Sequence, residues 1–223
     1  MMAVKVLWKT SVGSHLWGMN HEGSDIDVYE AVQVPTRHLL LGRGIPRFAN
    51  RVDSSDTMKY DIQTHEIGRV VEQVLDGNVN HLWGVFSPIV LTTDNDSRDL
   101  LASLRRISER NFSKRCYGSL QGLARKNVEK YIATGKDTSV KRLNIIARTV
   151  QMGITLLMEG RIEFKATSVT TPEEVSVLIL KMKIAHELSR LPDDPPEPHL
   201  LEDWLLSVRE MDWVDWDEPD TSK

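Results

Sequence analysis

The sequence predicts an α+β protein in which a small mixed β-sheet flanked by helices is followed by a C-terminal helical domain. Two observations predict this class. The first third of the 223-residue chain is rich in short extended patterns, whereas apolar residues recur at helical spacing over most of the remainder. The change of pattern divides the chain into an α/β domain at 1–95, a helical domain at 96–212 and an acidic tail at 213–223.

The first domain contains extended segments that are β-branched or alternate in polarity, which predicts strands. These segments lie at 4–12, 25–34 and 57–65. Proline and glycine residues at 35–46 predict a loop between the second and the third. A helix is predicted at 66–75, where apolar residues follow a helical period, and Gly77 ends it.

Beyond residue 95 the chain is predicted to form long amphipathic helices. They lie at about 96–109, 113–134, 139–159, 172–189 and 198–209. The segment 191–198 is rich in proline and acidic residues and is predicted to be a linker. Cys116 is the only cysteine and is expected to be a buried helical residue rather than a catalytic thiol.

The net charge of −4 conceals an uneven distribution along the chain. Residues 1–95 carry a net charge of −3, residues 96–165 carry +8 and residues 166–223 carry −9. The basic segment suits a triphosphate or a polynucleotide, although solvated helix surfaces also produce such an excess. The sequence has no apolar run long enough for a membrane helix and no full signal-peptide pattern, so we expect a cytoplasmic protein.

The most informative stretch joins a Gly-Ser turn to a pair of aspartates. Gly13 and Ser14 follow the first predicted strand, and Asp25 and Asp27 open the second after Ser24. Because side chains alternate along a strand, Asp25 and Asp27 should lie on one face and converge. Paired carboxylates of this kind suit Mg²⁺, and the turn offers backbone N–H groups and a hydroxyl to an anion.

This combination resembles the signature of the DNA polymerase β-like nucleotidyltransferase superfamily, and most closely that of its small stand-alone predicted nucleotidyltransferases. The segment 77–82, Ser87-Pro88, and Lys141 with Arg148 are similar to later motifs of that group. The resemblance covers about residues 7–160. It departs from the pattern at Val79, where proline is usual, and at Trp83-Gly84, where an acidic residue often stands. These departures bear on the acceptor more than on the reaction.

The resemblance implies a site that binds Mg²⁺ or Mn²⁺ and a nucleoside triphosphate substrate. Asp25 and Asp27 would bind the metal together with a third carboxylate, for which Asp61 is the first candidate and Glu66, as a helix N-terminal residue, the alternative. The triphosphate would be bound by the residues Gly13, Ser14, Ser24, Lys141 and Arg148. Lys141 and Arg148 lie two helical turns apart on one side, which is equally compatible with a solvent-exposed stripe. His65 shares a strand face with Asp61, and Arg105 with Arg106 is assigned to an outer helix face.

The expected function is metal-dependent transfer of a nucleoside monophosphate to a hydroxyl, with release of pyrophosphate. The acceptor stays open among an RNA end, a protein hydroxyl and a small molecule. The alternative is a non-catalytic, antitoxin-like module that binds a nucleotide or a partner, with the acidic segment from residue 193 onward as the docking surface for a partner protein. A nucleic-acid-binding regulator is a third hypothesis, which rests on the basic segment alone.

Overall fold

The computed structural model describes residues 4–48, 51–54 and 59–214, and it confirms the mixed α+β class. The strands are β1 (Lys5–Ser11), β2 (Ile26–Gln33), β3 (Arg51–Ser54) and β4 (Lys59–Glu66). The first helices are α1 (Gly13–Leu16), α2 (Thr36–Leu40), α3 (Ile67–Leu75) and α4 (Val79–Phe86). The later helices are α5 (Asn95–Arg110), α6 (Cys116–Asn127), α7 (Val140–Glu159), α8 (Pro172–Leu188) and α9 (Pro198–Val214).

The four strands form one mixed sheet in the order β1-β2-β4-β3. β2 and β4 are parallel neighbours in the centre, and the outer strands run antiparallel to them. The chain therefore brings the starts of β2 and β4 to the same end of the sheet. The Asp25–Asp27 motif lies at this end.

Three short elements were not predicted from the sequence. α2 lies within the predicted loop at 35–46, β3 follows that loop, and α4 occupies a segment for which no helix is predicted. Asn78 caps α4 by accepting a hydrogen bond from the Asn80 backbone N–H at 3.1 Å. Val79 is the first residue of α4, and its N–H donates to Ser119 Oγ at 3.0 Å. A proline at this position could not make that bond, which gives the departure at Val79 a structural reason.

The helix predicted at 113–134 is present over residues 116–132, but it changes type before its end. α6 ends at Asn127 and continues as a π-helical turn, Val128–Ile132. The apolar spacing does not reveal this change, because it depends on one widened turn. Cys116 is buried at the start of α6, and burial raises the pKa of its thiol to about 12, in agreement with a packing role.

The C-terminal helix packs beside the sheet. Glu66 caps α3 by accepting from the Gly68 N–H at 2.7 Å, and it also pairs with Arg209 of α9. Gln33 Nε2 donates to the Val208 carbonyl at 3.0 Å. These contacts confirm the helix N-terminal interpretation of Glu66. One cluster of buried apolar side chains runs from Leu7 to Val208, while the division of the chain into domains stays a prediction.

The predicted linker lies against basic residues of the turn between α5 and α6. Asp193 pairs with Lys114 at 3.2 Å and Asp194 with Arg115 at 2.8 Å. The Lys114 N–H also donates to the Pro192 carbonyl at 2.8 Å. α9 includes residues 213–214 of the predicted tail, and 215–223 lie outside the described residues. Within the described part of the chain, every helix is too short or too polar to cross a membrane.

Candidate active site

Asp27 and Asp61 lie side by side on the two central strands. They are direct partners in the parallel register of β2 and β4. Asp61 Oδ1 is buried, and no described residue donates a hydrogen bond to it. A buried acceptor without a partner is costly, so this oxygen is available to a ligand.

The electrostatics of the pair agree with this geometry. Burial raises the pKa of the Asp27 carboxyl, and the neighbouring Asp61 and Asp25 raise it further. His15 and Lys141 act in the opposite direction. The repulsion between Asp27 and Asp61 is therefore only partly offset by the cationic groups that surround them, and a divalent cation would relieve it.

Gly13 explains how the Gly-Ser turn meets the aspartates. Its φ of +63° lies in the left-handed region, and a Cβ built on it would lie 1.8 Å from Asp27 Oδ2. The bare backbone of α1 therefore packs directly against the Asp27 carboxylate. The sequence predicts that this turn faces an anion, and the structure shows that the absence of a side chain at Gly13 makes room for Asp27.

Asp25 does not join the other two carboxylates. It lies just before β2, half exposed, and its Oδ2 accepts from Lys59 Nζ at 2.8 Å. Accordingly, no three His, Cys, Asp or Glu residues in the described ranges are close enough to hold a metal ion. Asp25 is close enough to raise the pKa of Asp27, but its carboxylate is held by Lys59 and does not complete a three-carboxylate cluster in the described ranges.

The residues present nevertheless fit a magnesium ion. Mg²⁺ is commonly bound by one or two carboxylates, and substrate phosphates and water complete its octahedron. Asp27 and the unpartnered Asp61 oxygen supply those two carboxylates. Asp25 would supply a third carboxylate if its ion pair with Lys59 were replaced by a contact with the metal.

The two serines of the motif have different surroundings. Ser14 is half-buried in α1, and its carbonyl accepts from the N–H groups of Trp17 and Met19. No hydrogen bond of its hydroxyl is found with the rest of the described chain. Ser24 Oγ instead accepts from the His21 N–H at 3.0 Å and stabilises the turn that leads to Asp25. Ser14 is thus the stronger candidate for a phosphate contact.

The two basic residues predicted to lie on one side of α7 differ in their exposure to solvent. Lys141 is exposed, and its positive charge lowers the pKa of Asp27. Arg148 is only 7% exposed, and its Nε donates to the Asn144 carbonyl at 3.0 Å. Its Nη1 is buried and finds no acceptor among the described residues. The guanidinium lies 5.6 Å from the ring of Trp17, beside the Gly-Ser turn.

A cavity of about 210 Å³ opens beside Asp27 and Gly13. His65 borders this cavity and stacks on Tyr29, with ring centroids 4.4 Å apart. Tyr29 Oη and His81 Nδ1 are 2.8 Å apart, and burial lowers the pKa of both histidines, that of His81 to about 3. The sequence suggests that His65 approaches the site, and the structure places it in the wall as a neutral ring.

Several residues that hold the site were missed or misassigned from the sequence. Ser87 Oγ donates to the Ser11 carbonyl at 2.5 Å and fixes the end of β1 before the Gly-Ser turn. Arg105 donates to the Val85 and Ser87 carbonyls at 2.6 and 2.5 Å. The assignment of Arg105 to an outer helix face is therefore wrong. Its neighbour Arg106 is exposed, as predicted.

Comparison with known families gives a match over most of the chain. Residues 2–193 match the model of the RNA repair pathway DNA polymerase beta family, RlaP. No curated protein was found to match the sequence. The matched span contains the Gly-Ser turn, the three aspartates and both cations of α7. The chain therefore belongs to the RNA repair pathway DNA polymerase beta family, whose polymerase β-like character indicates a nucleotidyltransferase.

Proposed function

We propose that this protein is a metal-dependent nucleotidyltransferase that moves a nucleoside monophosphate from a nucleoside triphosphate to a hydroxyl at an RNA end. The observation that carries the proposal is the pairing of Asp27 with Asp61. Their neighbouring positions on parallel strands, with one buried oxygen left unpartnered, have no evident stabilising role without a cation.

Each part of the site has a chemical task in this reaction. Asp27 and Asp61 would hold Mg²⁺ or Mn²⁺, which would lower the pKa of the attacking hydroxyl and neutralise charge at the α-phosphate. Ser14 donates a hydrogen bond to a phosphate oxygen of the triphosphate. Lys141 and the buried Arg148 balance the negative charge that builds up on the departing pyrophosphate.

RNA is the favoured acceptor among the three classes left open by the motif. The family description refers to RNA repair. The reaction chemistry permits this acceptor, because it is the same for any attacking hydroxyl oxygen. The basic character of residues 96–165 agrees with this choice, since a polynucleotide backbone requires neutralisation. The identity of the nucleobase in the triphosphate is left to experiment.

The test is transfer of label from each α-labelled triphosphate to RNA, with Mg²⁺ or Mn²⁺. Asp27→Asn and Asp61→Asn should each lower the rate by at least about 100-fold, because loss of a metal ligand removes several kcal/mol of transition-state stabilisation. Asp99→Asn, at an exposed carboxylate of α5, is the matched control and should keep full activity. Full activity of Asp27→Asn would refute the proposal.

A further inference from the structure

A second and larger cavity, of about 430 Å³, lies between the start of α4 and the junction of α6 with the π-helical turn. Its volume falls in the range of small-molecule sites and is sufficient for one nucleotide. Its polar wall contains Asn80, Lys126, Asn127, Lys130 and Tyr131. This cavity has no part in the chemistry assigned above.

The charge of this cavity favours an anion. Two lysines line it, and no aspartate or glutamate does. Lys126 makes no ion pair with any residue that the structure describes. Lys130 lies 5.1 Å from the centroid of the Tyr131 ring, and its hydrogen bond and positive charge lower the pKa of the tyrosine hydroxyl. A positively charged small molecule, the third class of acceptor, would not be bound here, because no carboxylate lines the cavity.

The wall that carries Tyr131 is held in place from behind. The Arg142 guanidinium lies 3.8 Å from the centroid of the Tyr131 ring and donates to Asn127 Oδ1 at 3.1 Å. Arg142 is itself anchored by Asp137 at 2.9 Å. The ring and the amide are thus fixed at the cavity before any ligand binds, which lowers the entropic cost of binding.

Asn80 joins this cavity to the candidate active site. It lines both the larger cavity and the one that contains Asp27. Its backbone N–H is fixed by the Asn78 cap at 3.1 Å, so the residue forms a stable bridge between the two. An RNA chain that passes over Asn80 would therefore extend from the cavity beside Asp27 into the larger one.

We propose that the larger cavity binds a nucleotide of the single-stranded RNA acceptor adjacent to the one that carries the attacking hydroxyl. This inference rests on the proposed function and adds the path of the acceptor. Lys126 and Lys130 contact the phosphate, Tyr131 stacks on the base, and the amides of Asn80 and Asn127 contact polar edges. Aromatic stacking combined with backbone neutralisation is the usual mode of single-strand recognition.

The test measures binding of a labelled single-stranded RNA 12-mer by fluorescence anisotropy without triphosphate. Lys126→Gln combined with Lys130→Gln should weaken binding about 10-fold and lower the slope of log affinity against log salt by about 1.4, the value for two lost contacts on a single strand. Tyr131→Ala should weaken binding about 10-fold, and Tyr131→Phe should bind like the unaltered protein. Lys181→Gln with Lys183→Gln, on α8, is the matched control and should leave binding unchanged.

A variant that introduces a side chain into the cavity tests the same proposal without removing any lining residue. Gly122 borders the cavity, and a Cβ there meets no atom within 4 Å, so its replacement should not disturb the helix. Gly122→Glu should weaken RNA binding about 10-fold by charge repulsion, and Gly122→Gln should weaken it less. Unchanged affinity in Gly122→Glu and in the lysine pair, or equal loss in the α8 control, would overturn the inference.

The two proposals fail separately. If Asp27→Asn keeps its activity while the cavity variants lose RNA binding, the acceptor path stands and the metal mechanism falls. If transfer depends on Asp27 but RNA binds as well to the cavity variants as to the unaltered protein, the acceptor path falls and nucleotidyl transfer stands.

Discussion

Two groups of basic side chains in the middle of the chain differ in how their charge is balanced. The first group lies at the end of α5 and in the turn before α6, and it pairs with the acidic loop 191–198. Its members Arg110, Lys114 and Arg115 pair with Glu197, Asp193 and Asp194 at 2.6, 3.2 and 2.8 Å. Lys141 and Arg148, on α7, form no ion pair within the described part of the chain. Both groups contribute to the same net charge of +8 over residues 96–165.

Acidic partners, and not the number of basic residues, therefore determine which of the two groups can bind a ligand. The first group is neutralised by the acidic loop of the same chain, so it needs no ligand. The second contains a buried guanidinium with an unsatisfied nitrogen, which is costly unless a ligand completes it. Of these two groups, we infer that only Lys141 with Arg148 is available to bind the triphosphate.

The largest expected effect comes from removing the α7 pair. Lys141→Gln combined with Arg148→Gln should weaken triphosphate binding by about 10- to 100-fold, since charge-assisted hydrogen bonds contribute roughly 1.5–3 kcal/mol each and the two overlap. The measurement is titration calorimetry with a non-hydrolysable triphosphate and Mg²⁺. The matched control removes the same charge elsewhere, as Lys114→Gln with Arg115→Gln, and should change triphosphate affinity by less than about 2-fold.

Comparable losses in both double variants would show that the two basic groups have the same role in triphosphate binding. The basic segment would then act as a diffuse field, in which pairing within the chain has little influence on binding. Arg105 is unsuitable as a control for this experiment. Its guanidinium fixes the end of α4 through two backbone carbonyls, so charge reversal there would damage the fold.

The next effect concerns the neutral donor of the Gly-Ser turn. Ser14→Ala should weaken triphosphate binding by about 5- to 30-fold, or roughly 1–2 kcal/mol, near the lower end for a hydrogen bond to a charged group because the donor is neutral. Thermal stability without nucleotide should hardly change, because the hydroxyl makes no hydrogen bond with any other described residue. Unchanged affinity would make the turn a structural support for Asp27 alone.

The sequence predicts most of the fold, because periodicity is a local property. β1, β2 and β4 and the long helices α5, α7 and α8 all lie close to their predicted bounds. β3 spans only four residues and has too few positions to show alternation. α4 follows a Gly-Asn pair that ends one helix and caps the next, and its capping role is visible only in the structure.

The site could be predicted in part for the same reason. The positions of Asp27 and Asp61 follow from strand pairing, whereas the ion pair between Asp25 and Lys59 depends on side-chain choices that no spacing encodes. The burial of Arg148 likewise depends on how α7 packs against Trp17. Tertiary packing decides such contacts, and a single sequence carries little information about it.

A third experiment tests whether the Asp27 carboxylate destabilises the protein when no metal is bound. The raised pKa of Asp27 means that the folded protein holds the proton more tightly than the unfolded chain, where the ordinary value is 3.8. Asp27 thus contributes stability below pH 3.8, and this contribution is lost as the pH rises through the raised pKa. At pH 7 in EDTA, Asp27→Asn should raise the Tm by about 2–4 °C.

Thermal melts at pH 7 and pH 3.5 provide the check, because the difference between Asp27→Asn and the unaltered protein should shrink in acid. A lower Tm for the variant at pH 7 would show that His15 and Lys141 already balance Asp27. The site would then have no need of a cation for its stability.

The smallest effect should come from the acidic loop. Asp193 and Asp194 are 86% and 73% exposed, and such surface pairs add little to stability. The loop is also held by neutral contacts, since the Glu197 N–H donates to Asn111 Oδ1 at 2.9 Å. Asp193→Asn with Asp194→Asn should therefore lower the Tm by only about 1–2 °C at low salt, and the difference should disappear near 1 M NaCl.

The double variant also frees Lys114 and Arg115 from their acidic partners. If pairing with the loop keeps these residues from binding phosphate, the variant should bind single-stranded RNA more tightly, by about 2- to 5-fold at low salt, while triphosphate affinity stays constant. Anisotropy and calorimetry on the same protein separate the two readouts. A gain in triphosphate affinity would mean that the first basic group also reaches the active site, and the contrast between the two groups would then be one of degree.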